Sequence, residues 1–404
     1  MGGGPAGSTV AALVAQAGFS TLLVEREAMP REHVGESLMP ETYWTFQRLG
    51  VLDFLQASSY PKKVGVQFVN HTGKESSPFF FRTHDDRVSS ETWHVDRAAF
   101  DKMLFDNAAA KGATCRDCTR VLDVLLRDDH ATGVRLQPAA SPPQEVAARV
   151  VVDATGQQSL LATKLGLRRG NPTLRKAAIW QHFRGAHRDE QGGGVKTVIM
   201  HTEGKLSWFW YIPQSDDIVS VGVVGDRDYL LKGRGTPEQV FAEELANCPK
   251  LVNWMTGAQP EDEMRIAKEF SYTTDRSAGE GWVLVGDAWG FIDPIYSSGV
   301  YFALKSGELA ADSIAEGLRS GNLSADVLGR WVPNFSRQTG LIRKLVYAFY
   351  SGDFRVGKFV AEYPQHQNEL VDLLIGRLFD GCDGKIFDDL EPWLQRVKRE
   401  RTGT

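Results

Sequence analysis

Short apolar runs alternate along the chain with segments that have the period of a helix. Residues 21–24, 150–152 and 282–285 are apolar runs bounded by turns, which is typical of strands buried on both faces. The small, apolar stretch 8–17 lies just before the first of these runs and predicts a closely packed helix. Because helices and buried strands alternate, the sequence predicts an α/β fold.

A second group of segments alternates apolar and polar residues. In the predicted strand 60–70, Val64, Val66 and Phe68 share one face. The opposite face carries Lys63, Gly65 and Gln67. A lysine on a strand is ordinarily a solvated edge charge, and the alternation alone predicts that state for Lys63.

These patterns predict three regions. Alternation recurs at 196–200, 207–212 and 218–224, whereas the chain after 321 is mainly helical. We therefore expect a discontinuous Rossmann-like dinucleotide-binding domain, an inserted mixed β-sheet domain on the substrate side and a helical C-terminal region. Their expected bounds are, in that order, 1–60, 95–170 and 271–320; 61–94 and 171–270; and 321–404.

The first residues carry the nucleotide-binding pattern G-x-G-x-x-G. Gly2, Gly4 and Gly7 would allow a tight turn, close approach of a pyrophosphate and close packing of helix on strand. Glu25 ends the strand 21–24, where an acid can hold a ribose hydroxyl; a plain surface charge is the alternative. The pattern ordinarily follows a strand, so the first strand of the sheet is expected to be missing.

Further candidate nucleotide contacts follow the later buried strands. Residues 153–156, Asp-Ala-Thr-Gly, form a tight turn after one strand. Asp287 follows another and is a candidate for holding a ribityl chain. The amides of Gly299 and Val300, at the start of the next helix, could face an anionic ring.

The run 208–213, Trp-Phe-Trp-Tyr-Ile-Pro, is the least ordinary in the chain. Aromatic residues suit a pleated surface and Pro213 removes a ladder donor, so the run predicts a half-buried strand that ends there. A second interpretation is a bulky wall between two reactive centres. The six residues alone leave both open.

Composition narrows the classes of function. The chain has 404 residues, 24% charged, with a formal net charge of -5 and no basic block, which argues against a nucleic-acid partner. No apolar run approaches the roughly 18 residues that span a bilayer, and no signal peptide is evident. Four cysteines favour a reducing cytoplasm over a disulfide framework. Cys115 and Cys118 form a lone C-x-x-C, so we expect no metal site and only a weak case for a redox role.

Taken together, the motifs resemble a known family. The glycine pattern, Glu25, 153–156 and Gly286-Asp287 occur in the order found in para-hydroxybenzoate-hydroxylase-like FAD proteins, up to about residue 320. Three further motifs resemble the flavin-dependent halogenases within that superfamily. They are Gly35-Glu36-Ser37, Lys63-x-Gly65 and Trp208-x-Trp210-x-Ile212-Pro213.

The resemblance implies FADH2- and O2-dependent halogenation, with reduced FAD supplied by a separate flavin reductase. Chloride or bromide, held at Ser298 and Gly299, would be oxidised to hypohalous acid, which travels through a tunnel to Lys63; Lys62 would be structural. The tunnel and partition would involve Trp208, Trp210, Pro213, Tyr296 and Glu36. FAD would contact Gly2, Gly4, Pro5, Ala6, Gly7, Glu25, Arg26, Ser37, Arg97, Asp287, Pro294, Gly299 and Val300.

One departure narrows the substrate. Free-tryptophan halogenases carry a glutamate two residues before the serine or threonine of the halide motif, and this chain has Tyr296 there. That residue resembles the branch acting on electron-rich phenols and pyrroles, often tethered to a carrier protein in secondary metabolism. Trp289, expected beside the flavin, has no assigned role.

Two other functions stay open at this point. The same FAD fold serves single-component hydroxylases and reductases that oxidise NAD(P)H directly. A non-catalytic FAD-fold remnant that binds a partner is the third possibility, and the expected lack of a first strand is its only support.

Overall fold

A computed structural model describes residues 1–190, 192–268 and 270–402 of the chain. Its strands are β1 Leu22–Val24, β2 Lys62–Val69, β3 Phe79–Phe80, β4 Thr92–Trp93, β5 Thr114–Arg116, β6 Thr119–Arg127, β7 His130–Pro138, β8 Gln144–Ala147, β9 Val151–Asp153, β10 Arg168–Gly170, β11 Lys176–Arg184, β12 Val195–His201, β13 Ser207–Pro213, β14 Ile218–Asp226, β15 Gln259–Pro260, β16 Arg265–Lys268, β17 Tyr272–Thr274, β18 Ala278–Gly279 and β19 Trp282–Leu284.

The α-helices, like the strands, follow the predicted order. They are α1 Pro5–Gln16, α2 Thr42–Leu49, α3 Leu52–Ala57, α4 Phe81–His84, α5 Arg97–Ala110, α6 Leu160–Lys164, α7 Arg227–Leu231, α8 Pro237–Ala246, α9 Pro249–Trp254, α10 Ser298–Ser320, α11 Ala325–Leu328, α12 Val332–Tyr350, α13 Val356–Glu362, α14 Gln367–Ile375 and α15 Ile386–Thr402. In the ranges described, none of these helices combines the length and apolar character that a membrane crossing requires.

The dinucleotide-binding part consists of small sheets around α1. Strand β1 pairs in parallel with β5, and β19 pairs in parallel with β9 and antiparallel with β18. The backbone of Met1 and Gly2 lies between these sheets: Gly2 N donates to Val24 O at 2.8 Å, and Ala154 N donates to Met1 O at 2.9 Å. No strand is assigned before α1, yet these two residues join the sheets. The expectation of a missing first strand stays a prediction.

Helix α1 is buried along most of its length, as its small apolar residues predict. It packs against α10 and α5. A Cβ added to Gly307 of α10 would lie 2.8 Å from Ala6 O, so the two helix backbones approach closely. That packing fixes the start of α1 against the sheet ends, where the site lies.

The predicted mixed sheet is present and has nine strands. Its order is β15-β11-β14-β13-β12-β2-β3, with β16 also on β11 and β4 also on β2. Strands β12 and β2 are parallel, in a register that sets Val195 opposite Lys63; the neighbouring pairs are antiparallel. Lys63 and the aromatic strand β13 therefore belong to one sheet, separated by a single strand.

The aromatic run forms β13, as predicted, but it is not half-buried: all seven residues of the strand are buried. Trp208, Trp210 and Ile212 face the core shared with the dinucleotide-binding part. Phe209 and Tyr211 face a second core covered by α8 and α9. Because each face has its own cover, the strand has no solvent side.

The C-terminal region is helical, as predicted, and it closes over one end of this sheet. Phe349 of α12 contacts Trp208 with ring centroids 6.1 Å apart, and stacks on His201 at 5.4 Å. Its neighbour Tyr350 hydrogen-bonds the Trp208 indole. Helix α12 thus lies directly against the aromatic strand.

Candidate active site

A cavity of about 570 Å³ lies between the dinucleotide-binding part and the large sheet. Most of the predicted site residues line it, namely Gly2, Gly4, Pro5, Ala6, Glu25, Arg26, Glu36, Ser37, Arg97, Trp208, Trp210, Asp287, Pro294, Gly299 and Val300. The predicted residues outside its lining are Gly7, Lys63, Pro213, Tyr296 and Ser298. The fold therefore gathers most of the predicted nucleotide site at one cavity and keeps the predicted catalytic lysine apart from it.

The glycine pattern shapes one end of the cavity. Gly2 has φ +98°, and a Cβ there would lie 2.2 Å from Ala154 O. A Cβ on Gly7 would lie 2.0 Å from Gly2 O, so this glycine serves helix packing rather than ligand contact. At Gly4 the nearest atom to an added Cβ is the Arg31 guanidinium at 3.4 Å, with no backbone in the way. The start of α1 is thus open toward the cavity, which suits a diphosphate.

Two arginines share one buried carboxylate beside that opening. Arg97 binds Asp101 through Nε and Nη2 at 2.9 and 3.0 Å, and also donates to Val34 O. Arg31, which no motif predicted, binds the same carboxylate at 2.8 Å. Both guanidiniums line the cavity, where they can donate hydrogen bonds to an anionic ligand.

Glu25 holds the glycine turn itself. Its carboxylate accepts hydrogen bonds from Gly3 N at 2.8 Å and Glu27 N at 3.1 Å, and lies 3.5 Å from Arg31 Nε. It is buried at the end of β1, as the sequence predicts for a ribose-binding acid. Arg26 is exposed and pairs with Glu27.

The far end of the cavity carries Asp287 and the start of α10. Burial raises the pKa of Asp287 to about 7, although Arg97 and a hydrogen bond from Gln157 oppose the shift. This carboxyl can therefore accept or donate a hydrogen bond to a polyol near neutral pH. The glycine turn, the arginine pair, Glu25 and Asp287 together fit FAD.

The predicted halide residues sit at the first turn of α10. Gly299 lines the cavity, and a Cβ there would meet the Phe291 ring at 3.1 Å. The Ser298 side chain is buried and outside the lining, whereas Ser297, with φ +57°, lines it. The first turn of α10 therefore reaches the cavity through Ser297, Gly299 and Val300, and the Ser298 side chain does not.

Lys63 is buried, with 2% of its surface exposed, so the expectation of a solvated edge charge is wrong. Its ammonium donates to Leu38 O at 2.8 Å and lies 5.5 Å from the centre of the Phe81 ring. Burial lowers the pKa of Lys63 to about 7. Lys62 is exposed and pairs with Glu91 at 3.1 Å, which matches the structural role expected for it. The difference arises because strand β2 turns its polar face inward under α4.

The aromatic strand forms one wall of the cavity, and Lys63 lies two strands away from it in the same sheet. Trp208 and Trp210 line the cavity, and Trp180 of β11 extends the same wall, 6.2 Å from Trp210 between ring centroids. Gly222 on the adjacent strand makes room, since a Cβ there would lie 2.2 Å from the Trp210 ring. The wall is therefore a packed feature of the sheet.

A buried ion cluster that the sequence did not reveal forms part of the lining. His182 lies between Glu36 Oε1 at 3.1 Å and Asp262 Oδ2 at 2.6 Å. Burial lowers the pKa of His182, but Glu36 and Asp262 outweigh it and raise the pKa to about 9. His182 is therefore an imidazolium at neutral pH. Arg265 also binds Asp262, at 2.5 Å.

Two further residues, Tyr296 and Trp289, lie away from the cavity lining. Tyr296 packs beneath α12, where its hydroxyl donates to Leu345 O at 3.4 Å. Trp289 was expected beside the flavin, and this is wrong: its indole donates to Ser277 Oγ at 2.8 Å and its ring meets Phe335 in the core. Trp289 thus has a packing role.

The cysteines and acids offer little further chemistry. The four cysteines are free, and burial raises the pKa of the Cys115 thiol to about 11, so it is a poor nucleophile. Across the described ranges, no three His, Cys, Asp or Glu side chains are grouped to hold a metal ion.

The chain is similar to known flavoproteins over nearly its whole length. Residues 1–324 match the family described as FAD binding domain. The 1H-pyrrole-2-carbonyl-(peptidyl-carrier protein) brominase of Pseudoalteromonas luteoviolacea is 30% identical, over 95% of this chain and 92% of its own length. The corresponding chlorinase of Pseudomonas fluorescens is 28% identical, over 99% and 93%. The structure of the flavin-dependent brominase Bmp2 superposes with a TM-score of 0.87 at 28% identity, over 99% of this chain and 98% of that one.

Proposed function

The chain belongs to the FAD-binding-domain family and, within it, to the flavin-dependent halogenases, and we propose that it halogenates a pyrrole-2-carbonyl group held on a peptidyl-carrier protein. The observation that supports the proposal is the buried Lys63, whose ammonium donates to Leu38 O, one residue beyond Ser37 of the cavity lining. Two relatives aligned over nearly the whole chain act, by their names, on that carrier-bound pyrrole. Tyr296 at the halide motif agrees with an electron-rich ring, which needs no neighbouring carboxylate.

FAD would occupy the cavity with its diphosphate at the start of α1, its ribose at Glu25 and its ribityl chain at Asp287. Bound in reduced form, FAD together with oxygen supplies the oxidising power that converts halide to hypohalous acid. A separate flavin reductase would deliver reduced FAD. The halide would lie at the first turn of α10, near Gly299, where the amide dipoles of a 23-residue helix favour an anion.

Lys63 would receive the hypohalous acid. As an ammonium it can donate a hydrogen bond to the oxygen and polarise the O–halogen bond. As a free amine it can attack the halogen: an N–halogen bond forms, the O–halogen bond breaks, and hydroxide leaves as water with the amine proton. A pKa of about 7 populates both forms at neutral pH. In either case the pyrrole carbon then takes the halogen and loses its proton.

The wall explains why halogenation rather than hydroxylation would follow. Trp208, Trp210 and Trp180, which line the cavity, would keep the substrate ring away from a flavin bound there, so oxygen would not be transferred to the ring directly. Hypohalous acid is small and neutral and would pass where the ring would not.

The test supplies purified protein with reduced FAD, oxygen and either chloride or bromide. Substrates are a pyrrole-2-carbonyl carrier protein, free pyrrole-2-carboxylate and a simple phenol, each examined by mass spectrometry. Replacement of ring hydrogen by halogen on the carrier-bound pyrrole supports the proposal. NAD(P)H oxidation stimulated by a phenol without halide would instead identify a hydroxylase, and binding of no flavin would favour the non-catalytic alternative.

A further inference from the structure

The Trp208 indole is connected to the buried Asp293 carboxylate by the Tyr350 hydroxyl. Its Nε1–H donates to the Tyr350 hydroxyl at 3.0 Å. That hydroxyl lies 3.2 and 3.1 Å from the two carboxylate oxygens of Asp293, to which it donates. Asp293 is 1% exposed and begins the segment that leads into α10 and the predicted halide site. Tyr350 therefore links the wall, the C-terminal helix α12 and the halide segment.

The Trp210 indole has a second link of the same kind. Its Nε1–H donates to Ser220 Oγ at 3.1 Å. Burial raises the pKa of Glu36, but His182 and the Ser220 hydroxyl outweigh it and hold that pKa below its ordinary value. Glu36 is also bound by His182 at 3.1 Å and is 1% exposed. The chain again runs from a tryptophan of the wall, through a hydroxyl, to an acid at the edge of the cavity.

The end of the aromatic strand has a third link. Pro213 O accepts a hydrogen bond from His94 Nδ1 at 2.8 Å, which leaves Nε2 unprotonated to accept from the Thr197 hydroxyl at 2.8 Å. Thr197 Oγ1 then accepts from Ser37 Oγ, 2.8 Å away, and Ser37 Oγ accepts from Ser297 Oγ at 3.1 Å. Each hydroxyl donates one hydrogen bond and accepts another, so the direction of the chain is fixed.

The three links share an arrangement that packing alone does not require. Trp208, Trp210 and Pro213 each lead through one polar side chain or a short series of them to one of two segments, 36–37 or 293–297. Both segments border the cavity at the predicted halide site. These side chains thus connect the wall to the two segments between which hypohalous acid would form.

We propose that Tyr350, Ser220 and His94 are positioning residues that lock the wall to the halide segments, so that hypohalous acid passes to Lys63 and does not escape. This rests on the proposed function. It also gives helix α12 a role, since Tyr350 is its last residue and supplies the Trp208 anchor. Loosening a link should leave FAD bound and oxidised at its normal rate while the oxidant is lost from the enzyme.

The experiment compares Tyr350→Phe with Tyr211→Phe. Tyr211 lies on the same strand, but its hydroxyl donates to His187 O in the second core, away from the cavity. Both changes remove one hydroxyl from a strand-side contact and leave the aromatic ring in place, but only Tyr350 binds the Trp208 indole and Asp293. Reactions run with the carrier-bound pyrrole, bromide, reduced FAD, oxygen and monochlorodimedone as an external scavenger of hypohalous acid.

For Tyr350→Phe we expect the bromine captured by the scavenger, relative to that in the pyrrole, to rise at least threefold. The rate of flavin oxidation and the Kd for FAD should stay within twofold of the parent, and Tyr211→Phe should match the parent in every measurement. An unchanged distribution of bromine in Tyr350→Phe overturns the inference. Ser220→Ala tests the second link in the same assay and supplies the answer if Tyr350→Phe does not fold.

A readout without turnover separates this inference from the proposed function. Protein labelled with 5-fluorotryptophan, with Trp208→Phe used for assignment, gives a ¹⁹F resonance for position 208. We expect that resonance to broaden at least twofold in Tyr350→Phe and to stay unchanged in Tyr211→Phe; no broadening contradicts the anchor. Failure of the parent protein to halogenate any substrate would overturn the proposed function, while the resonance would still decide whether Tyr350 fixes the wall.

Discussion

At the scale of single residues, burial gives the site its chemistry. The alternation of strand β2 showed which residues share a face with Lys63, but that face turned out to be the inner one. On that face, the Lys63 ammonium donates to Leu38 O and lies over the Phe81 ring. Among residues 1–190, 192–268 and 270–402, no carboxylate is bonded to its ammonium, so desolvation dominates and the amine is available near neutral pH.

The buried Lys63 should lower the free energy of unfolding over a definite pH range. Its pKa is about 7 when folded and near 10.5 when unfolded, so between these values only the unfolded chain binds the proton. Lys63→Met should therefore be more stable than the parent at pH 7, by on the order of 4 kcal/mol at most. The difference should shrink as pH rises toward 10.5. Thermal unfolding of both proteins from pH 6 to 10 measures it, and a difference independent of pH would contradict the burial argument.

His182 should raise the free energy of unfolding, whereas buried Lys63 lowers it. Its pKa is raised to about 9 when folded, so its ion pairs stabilise fully below pH 6.5 and are lost as pH rises through 9. We expect the stability lost in His182→Gln to be on the order of 3 kcal/mol below pH 6.5 and to fall toward zero above pH 9. Denaturant unfolding at a series of pH values checks this, and a loss that grows with pH would show that the imidazole is neutral.

At the scale of elements, the glycines of the turn into α1 have two different functions. Gly7 packs helix on turn, since an added Cβ would lie 2.0 Å from Gly2 O, whereas Gly4 opens to the cavity. In the large sheet, strand β12 lies between the strand that carries Lys63 and the aromatic strand β13.

Alanine at these two glycines should separate folding from binding. Gly7→Ala should destabilise the protein without FAD by about 1–3 kcal/mol, because backbone must move to admit the methyl group. Gly4→Ala should leave that stability within about 0.5 kcal/mol and weaken FAD binding at least tenfold. Thermal unfolding without FAD and fluorescence titration with FAD distinguish the two. Equal loss of stability in both variants would contradict the division.

Local spacing predicted the elements well and long-range partners poorly. The glycine turn, Glu25, Asp287 and the aromatic strand were predicted because short segments encode them. Arg31, His182 and Tyr350 were missed because each acquires its role from a partner distant in sequence: Asp101, Glu36 and Trp208 respectively. The predicted positions of Trp289 beside the flavin and of β13 as a half-buried strand were wrong for a related reason. The sequence of a short segment does not show which helices will pack on it.

At the scale of the whole molecule, the fold keeps Lys63 apart from the cavity for FAD. The cavity is lined by the glycine turn, the end of β1, the start of α10 and the aromatic strand β13, whereas Lys63 of β2 lies under the Phe81 ring of α4. Strand β12 lies between β13 and β2, and Tyr350 of α12 binds the Trp208 indole. Under the proposed function, this arrangement would let a diffusible oxidant be made at the cavity and used at Lys63.

If the cavity takes FAD, the whole fold should be stabilised by it. Binding to the folded state alone contributes roughly 2.7 kcal/mol at a free ligand concentration one hundred times the Kd. We therefore expect the Tm to rise by several degrees on saturation with FAD, and the rise to be largely lost in Gly4→Ala. A Tm that does not respond to FAD would favour a chain that has lost its cofactor.

The most direct test of the central claim is halogenation of the carrier-bound pyrrole by Lys63→Met, with Lys62→Met as its matched control. Lys62 is the exposed neighbour on the same strand, paired with Glu91. We expect Lys63→Met to bind FAD normally and to lose at least about 100-fold in halogenated product, as loss of an acid–base or nucleophilic group does. Lys62→Met should retain most activity. Halogenation by Lys63→Met at a rate close to that of the parent would contradict the account.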